Sequence, residues 1–593
     1  MKTIQIRNPK SKIRNRVSRN PQSAIRNLQS TIGIQHPEEA MPESFSREDL
    51  LAARFKVAKV LPYQESSPSF ISNFTLAVFS GILLIFAFPE WNLWSLGWVG
   101  TAPLIMAVVR EQRFWRSLFL GQVTGTLFYL GSSHWITYSI HNYGGVPLWL
   151  SYVIALVFAS ALAPFTALFA GILGFAVKRF GGWAILAAPV VWAASEWLRL
   201  QVTGMGWNAL GYSQVVQPAV IQISRFGGVY LVSALLVSAS AALVFALVYL
   251  ERLRGIIALT IAIAISVAAV IYGQSVRGEG METGSVTVIA VQPNVPIDGS
   301  WDDPQFVDKL TERHIRLSEQ AIQEARKTHA ENGAAAADLV IWPESPMNFV
   351  YERDAELRRR LAEFAKRNNA YLLMSSWGTD ENNSDNLYNS AMVIAPSGER
   401  ISRYDKIALL PFGEYVPGRG WIPFMNRIPA LVEDTTPGTS FTLSDVAGAK
   451  VGIEICFEAT RPDVARTQRR QGASAFVQIS NEAWFGPTAA ARQVMAHAAF
   501  RAVENNVEMI RATNSGLSAR IDRNGVAHDE TPMFETAARV WKIPTADEAR
   551  ASGLTFYTRF GDVFAITCAA LSLLLAAAAF VAERRKGKEQ EDD

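Results

Sequence analysis

The chain has 593 residues, room for two or more domains, with 49% hydrophobic residues and a formal net charge of only +3. So small a charge, with no basic face interleaved with aromatics, excludes a nucleic-acid partner. Only two cysteines are present, Cys456 and Cys568, so a disulfide framework is excluded too.

The average composition hides a division into unlike parts. Residues 1–69 are polar, basic at the start and without sustained periodicity. They carry a loose Ile-Arg-Asn repeat at Ile6, Ile13 and Ile25, and are expected to form a disordered cytoplasmic extension. No apolar core follows the first basic residues, so a secretory signal is not expected, and Met41 is an alternative translation start.

Eight apolar segments follow, near Ser72–Phe88, Leu93–Val109, Ser117–Trp135, Leu148–Val177, Trp183–Leu200, Phe226–Leu250, Gly255–Tyr272 and Val563–Ala582. Each approaches or exceeds the ~20 residues that cross a hydrocarbon layer, the first two being short enough for a tight hairpin through Pro89–Asn92. Arg110, Arg113 and Arg116 follow the second segment, Lys178 and Arg179 the fourth, and Arg252 and Arg254 the sixth. The alternate loops near Glu90 and His141 carry no lysine or arginine, although a third holds Arg225. Basic loops face the cytoplasm, which places both termini inside and residues 279–556 outside. The expected division is a seven-helix bundle over 70–278, an extracytoplasmic soluble domain over 279–556, a last transmembrane helix over 557–583 and a charged cytoplasmic tail over 584–593.

Within the bundle, Glu196 and Arg199 either mark function at membrane depth or snorkel to the interface. The glycine- and aromatic-rich loop Gly204–Tyr212, with Trp207 at its centre, either anchors the bundle or lines a lipid path to the soluble domain. Gly121 and Gly125, four apart, suit close helix packing.

The soluble part alternates strands with helices. Val286–Val291, Leu339–Trp342, Tyr371–Ser375, Ser390–Ile394, Val451–Ile455 and Ala475–Ile479 read as strands; Pro304–Lys327, Ala355–Arg367 and Pro462–Gln471 read as helices. Such alternation predicts an α/β domain of sheets covered by helices, with its site at strand ends. Cys456 closes the apolar run Val451–Ile455, and a lone cysteine there is either inert core or a nucleophile. Glu344 and Lys406 also sit where apolar strands or loops stop. A thiol near its usual pKa of about 8.5 is mostly protonated at neutral pH, so a nucleophilic cysteine needs a base or a positive neighbour. A carboxylate can take the proton, and an ammonium can stabilise thiolate and oxyanion.

Together, Trp342-Pro343-Glu344-Ser345, Lys406 followed by Leu410-Pro411-Phe412-Gly413-Glu414, Glu454-Ile455-Cys456-Phe457-Glu458 and Ser480-Asn481-Glu482-Ala483-Trp484 resemble the nitrilase superfamily. With the bundle, and the stretches Glu196–Arg199 and Gly211–Ser213, the chain resembles its membrane-embedded branch, the apolipoprotein N-acyltransferases, over about Ser72 to Ala582. The resemblance implies an eight-helix transmembrane bundle carrying an extracytoplasmic αββα sandwich with a Glu–Lys–Cys triad. By position, Glu344 is then the general base, Lys406 the stabiliser of oxyanion and thiolate, and Cys456 the nucleophile. Glu414, Glu458 and Trp301 match supporting positions. Phe457 stands where the family often has tyrosine, which leaves a backbone N–H for an oxyanion hole but no phenol.

The implied reaction moves an acyl group from a membrane phospholipid to Cys456 as a thioester, then to the α-amine of a diacylglyceryl apolipoprotein. Apolar loops at Leu409–Phe412 and Trp421–Met425 are expected to shield the thioester from water. Asn481 and Trp484 are candidates for shaping the substrate pocket, as is Trp207. The histidines have no metal-ligand spacing, so no metal is expected and His314 and His497 read as surface or packing residues. Residues 492–501 read as a helix with solvated charges. No glycine-rich phosphate loop is present, so no nucleotide cofactor is expected. The rival readings are a membrane-tethered amidase that passes its acyl-enzyme to water, and a transporter or receptor with a binding-only domain.

Overall fold

The computed structural model describes residues 69–248, 252–277, 284–297, 305–329, 337–344, 349–380, 386–420, 434–550 and 553–591. The expected extension (but for Ser69), Trp301 and the apolar loop 421–425 lie outside the described residues.

The first helices are α1 (Phe70–Ala87), α2 (Ala102–Glu111), α3 (Phe114–Ser132), α4 (Ile136–Asn142), α5 (Leu148–Leu162), α6 (Pro164–Phe180), α7 (Ala188–Thr203), α8 (Pro218–Ile221), α9 (Ser224–Val248) and α10 (Arg252–Val276). Among the described residues, five stretches are long and apolar enough to cross a membrane. They are Phe70–Ala87, Leu148–Thr203, Ser224–Val248, Leu253–Val276 and Val563–Arg585. The eight segments of the sequence map onto these differently for physical reasons. The second is divided into a short 3-10 turn, Trp94–Trp98, and the ten-residue α2. The third becomes α3, long enough but carrying Arg116, Gln122, Thr124 and Thr126. The fourth is broken at Ala163–Pro164 into α5 and α6, because proline lacks the N–H that would continue the helix. At Gly121 an added Cβ would stand 2.6 Å from the Thr166 carbonyl, and at Gly125 3.0 Å from the Ala163 Cα, so these glycines let α3 and α6 touch.

The α/β lobe contains β1 (Val286–Gln292), α11 (Phe306–His329), β2 (Leu339–Ile341), α12 (Ala355–Asn368), β3 (Tyr371–Thr379), β4 (Leu387–Ile394), β5 (Arg400–Asp405), β6 (Leu443–Val446), β7 (Ala449–Ile455), α13 (Pro462–Arg470), β8 (Ala475–Ser480), α14 (Ala490–Asn505), β9 (Glu508–Thr513), β10 (Ala519–Ile521), β11 (Ala527–His528), β12 (Ala537–Ile543) and α15 (Ala546–Arg550). The helices α16 (Phe556–Phe560) and α17 (Val563–Glu591) close the chain. One sheet runs β12-β1-β2-β3-β4-β5 and the other β11-β10-β9-β8-β7-β6. Val288, Ile341 and Val393 from the first meet Ile453, Ile455 and Val477 from the second in a single apolar layer. Outside it, α11 and α12 cover the first sheet, and α13 and α14 the second. The result is a helix–sheet–sheet–helix sandwich. Strands β1, β2, β7 and β8 are almost wholly buried, which is why they read as unbroken apolar runs.

Helix α14 corrects the expectation of solvated charges over 492–501. Apart from Arg492 it is buried, including Arg501 and Glu504, because the second sheet lies on one side and the bundle on the other. Phe500 and Val503 belong to the same apolar cluster as α9 residues Val232, Leu236 and Phe245.

Candidate active site

Each triad candidate lies just past the end of a strand. Strand β2 runs out at Ile341, and Trp342-Pro343 carries the chain to Glu344. Lys406 follows β5, its N–H bonding the Asn389 carbonyl of β4 at 2.8 Å. Cys456 follows β7 and adopts a left-handed backbone (φ 54°), rare outside glycine, before the 3-10 turn Cys456–Thr460. That sharp turn lifts the half-buried thiol off the sheet edge.

The structure brings Glu344, Lys406, Glu414 and Cys456 into one electrostatic neighbourhood. Lys406 is fully buried; its Nζ lies 2.8 Å from the Glu414 carboxylate and 3.9 Å from Glu344 Oε1. Burial alone would lower its pKa, but Glu414 and then Glu344 outweigh burial and hold the ammonium above its ordinary range. Burial pushes the Cys456 thiol up to about 12; Glu344 adds to the rise and Lys406 opposes it. These surroundings favour the protonated thiol, so a nucleophilic Cys456 would need a base to take its proton.

The supporting glutamates have defined tasks in this geometry. Glu414 also accepts from the Leu410 N–H at 2.8 Å, fixing the loop that follows Lys406. Glu458 clamps two loops together. Its Oε1 accepts from Tyr404 Oη (2.8 Å), Ile407 N (2.7 Å) and Ala408 N (3.1 Å), while its Oε2 accepts from Ile455 N (2.8 Å). Its burial raises its pKa to about 7 against those hydrogen bonds.

The aromatic candidates converge on Phe457, the residue after Cys456. The Trp207 ring is stacked on Phe457, with centroids 6.4 Å apart and planes at 14°. Trp135 and Phe485 complete a buried cluster with them, and Leu410 and Trp484 pack on its edge. Loop Gly204–Tyr212 thus lies against the lobe, not as a free interfacial belt. Glu196 and Arg199 do not snorkel, since both are buried. Glu196 accepts from Leu210 N at 2.7 Å, and Arg199 donates to the Met205 carbonyl at 2.8 Å, so both hold that loop. The Asn481 N–H donates to Glu344 Oε2 at 3.0 Å. Trp484 is gripped from the bundle: its carbonyl accepts from Ser139 Oγ at 2.8 Å, and its ring meets Tyr143 edge-on.

Three residues escaped the sequence reading. Asn389 donates to Glu344 Oε1 and to Glu414 Oε1, both at 2.9 Å. Gln478 donates to the Cys456 carbonyl at 3.0 Å and accepts from Arg511 Nη1 at 3.1 Å. Arg511, paired with Glu482, is buried, and burial lowers its pKa to about 9. The signal for all three is a polar side chain at a buried strand position. His314 and His497 are packing residues, as expected, but both are fully buried and not at the surface. Among the described residues no group of three or more histidine, cysteine or acidic side chains is arranged to hold a metal ion.

Comparison with known proteins finds relatives of this chain. Residues 80–242 match the family model described as the apolipoprotein N-acyltransferase N-terminal domain, and residues 290–541 match that of carbon-nitrogen hydrolase. The apolipoprotein N-acyltransferase of Geobacter metallireducens is 32% identical over 87% of this chain and 96% of its own. That of Chromobacterium violaceum is 28% identical over 86% and 94% respectively. Among solved structures, the NitN amidase of Neterenkonia sp. AN1 is 18% identical over 45% of this chain and 96% of its own, with a TM-score of 0.31.

Proposed function

The chain belongs to the apolipoprotein N-acyltransferase family, and from that premise we propose that it acylates the N-terminal diacylglyceryl-cysteine of apolipoproteins from a phospholipid donor. This would be the last step of lipoprotein maturation. One observation carries the reading to named atoms: buried Lys406 pairs closely with Glu414, at 2.8 Å, and only loosely with Glu344, at 3.9 Å, which leaves Glu344 the carboxylate less engaged with the ammonium in the neighbourhood of Cys456.

Cys456 Sγ attacks the ester carbonyl of a membrane phospholipid while Glu344 takes the thiol proton. Lys406 and the Phe457 N–H stabilise the oxyanion. The glycerol oxygen departs with the proton from Glu344, leaving a lysophospholipid and an acyl thioester on Cys456. The α-amine of the diacylglyceryl-cysteine then attacks the thioester and gives a proton to Glu344. The amide forms as the Cys456 sulfur leaves and regains that proton. The buried aromatic cluster around Trp207 and Phe457 supports a water-poor environment for the thioester. Asn481 and Trp484 belong to the wall of the same space in this reading.

The five apolar stretches support a multi-pass protein of the inner membrane. Eight crossings, both termini in the cytoplasm, and the lobe 279–556 on the outer face complete the proposal, consistent with the arginines that flank α2, α6 and α10. The test is direct. Purified protein is incubated with labelled phospholipid, and Cys456 is examined by mass spectrometry for an acyl group. A diacylated lipopeptide should then discharge that group into an amide. Discharge to free fatty acid alone would make the protein a hydrolase, and no acyl-cysteine at all would overturn the mechanism.

A further inference from the structure

Gln493 lies in the second turn of α14, fully buried, where the lobe meets the outer end of the bundle. A carboxamide offers two lone pairs and two N–H groups. Here all four are used, and all four partners come from the bundle. Gln493 Oε1 accepts from the indole N–H of Trp207 at 2.7 Å and of Trp135 at 3.1 Å. Gln493 Nε2 donates to the carbonyls of Ser132 at 2.8 Å and Pro89 at 3.0 Å. Flipping the amide would face N–H against two indole N–H groups and oxygen against two carbonyls, so the contacts admit one orientation.

This side chain therefore ties three bundle elements to the lobe at once: the loop after α1, the end of α3 with Trp135, and the loop after α7. The two indoles it holds touch each other, with centroids 4.9 Å apart, and Trp207 in turn lies on Phe457, next to the nucleophile. By contrast, the polar partners of Glu344 and Lys406 described above, Asn389, Glu414 and Asn481, all belong to the lobe. Loss of Gln493 should leave the triad assembled but loosen the seat of the lobe on the bundle beside Trp207, where the other ties do not reach.

We propose that Gln493 is a positioning residue that sets the register of the lobe on the bundle, and so determines whether Cys456 reaches an ester held in the bilayer. The inference rests on the acyl-transfer reading above. A buried amide with four hydrogen-bond partners is expensive to leave unpaired, so the four contacts act together. A small ester that enters from water needs no such register.

The experiment uses the full chain in vesicles of equal parts phosphatidylethanolamine and phosphatidylglycerol, comparing wild type with Gln493→Leu and Gln493→Glu. Acylation of Cys456 is measured from the vesicle lipid and, separately, from the soluble ester p-nitrophenyl butyrate. A displacement of the nucleophile costs up to about a hundredfold in such reactions, so Gln493→Leu should slow lipid acylation about tenfold or more and leave the soluble ester within about twofold. Gln493→Glu keeps the acceptor for both indoles and loses both amide donors, so it should show a smaller loss with the same selectivity. Equal slowing with both esters, or no slowing with either, would overturn the proposal. So would failure of both variants to yield protein that reacts with the soluble ester, since the side chain would then serve folding alone. Failure of the acyl-transfer reading is separate and shows in the wild type, as absence of acyl-Cys456 from vesicle lipid.

Discussion

Lys406 Nζ lies 2.8 Å from the carboxylate of Glu414 but 3.9 Å from that of Glu344. The closer partner of the lysine is thus Glu414, not Glu344. A buried ammonium left without Glu414 would take Glu344 as its counter-ion. Replacing Glu414 by glutamine should therefore slow acyl-Cys456 formation by about 10²–10³-fold, a loss in the range of a lost electrostatic stabiliser. The cycle with Glu344→Gln checks the coupling. If Glu414 acts by keeping Glu344 available, the double variant will be hardly slower than Glu344→Gln alone. Additive losses would assign Glu414 an independent role.

Asn389 donates to both Glu344 and Glu414, and so bridges two carboxylates that would otherwise repel across Lys406. Asn389→Leu removes both donors from partly or fully buried acids. Acyl-Cys456 formation should fall about 10–100-fold, the size seen when a residue that orients a reactive group is lost. Asn389→Asp adds a third carboxylate and should cost more than leucine does. Single-turnover rates with labelled phospholipid make the comparison, and an aspartate variant faster than the leucine variant would contradict it.

The reasons these residues were or were not legible in the sequence are physical. Strands β1, β2, β7 and β8 are buried on both faces, so their β-branched runs announced themselves, and the residues at their ends followed. Strand β5, Arg-Ile-Ser-Arg-Tyr-Asp, lies at the end of its sheet, half exposed and polar, and carries no such run. Strand β9 is buried, yet Glu508 and Arg511 break its apolar pattern because each is paired inside the lobe. The charges of α14 looked solvated because a sequence window sees one helix, not the bundle packed on its far side. Asn389 and Gln493 were invisible for a similar reason: their worth lies in partners dozens to hundreds of residues away.

The Cys456 thiol is pushed up to about 12 by burial and by Glu344, with Lys406 opposing. The direction of each cause fixes what substitutions do to the free thiol. Glu344→Gln removes a negative neighbour, lowers the thiol pKa and should speed alkylation by iodoacetamide at mildly alkaline pH, although acyl transfer falls. Lys406→Met removes an opposing cation and should slow alkylation. In wild type the alkylation rate should climb with pH and keep climbing toward about pH 12, with no plateau near the ordinary thiol value of about 8.5. A plateau near that ordinary value would show a thiol unaffected by its surroundings.

Glu454, on β7 two residues before Cys456, is fully buried, and neither carboxylate oxygen has a hydrogen-bond partner among the described residues. Burial, aided by Glu458 and Glu504 and opposed by Arg501, lifts its pKa to about 8. In the unfolded chain the group titrates near the ordinary value of about 4.3. Between those two values the folded protein keeps a proton that the unfolded chain has shed, so stability falls as pH rises through the window and levels off above about 8. Glu454→Gln cannot ionise and lacks this slope. Thermal unfolding followed by tryptophan fluorescence at about pH 5 and about pH 8 should show the variant gaining on wild type at the higher pH. Parallel curves for the two proteins would mean that the carboxyl is charged throughout, and that the chain has found it a partner in the cluster of Arg501, Glu504 and Tyr212.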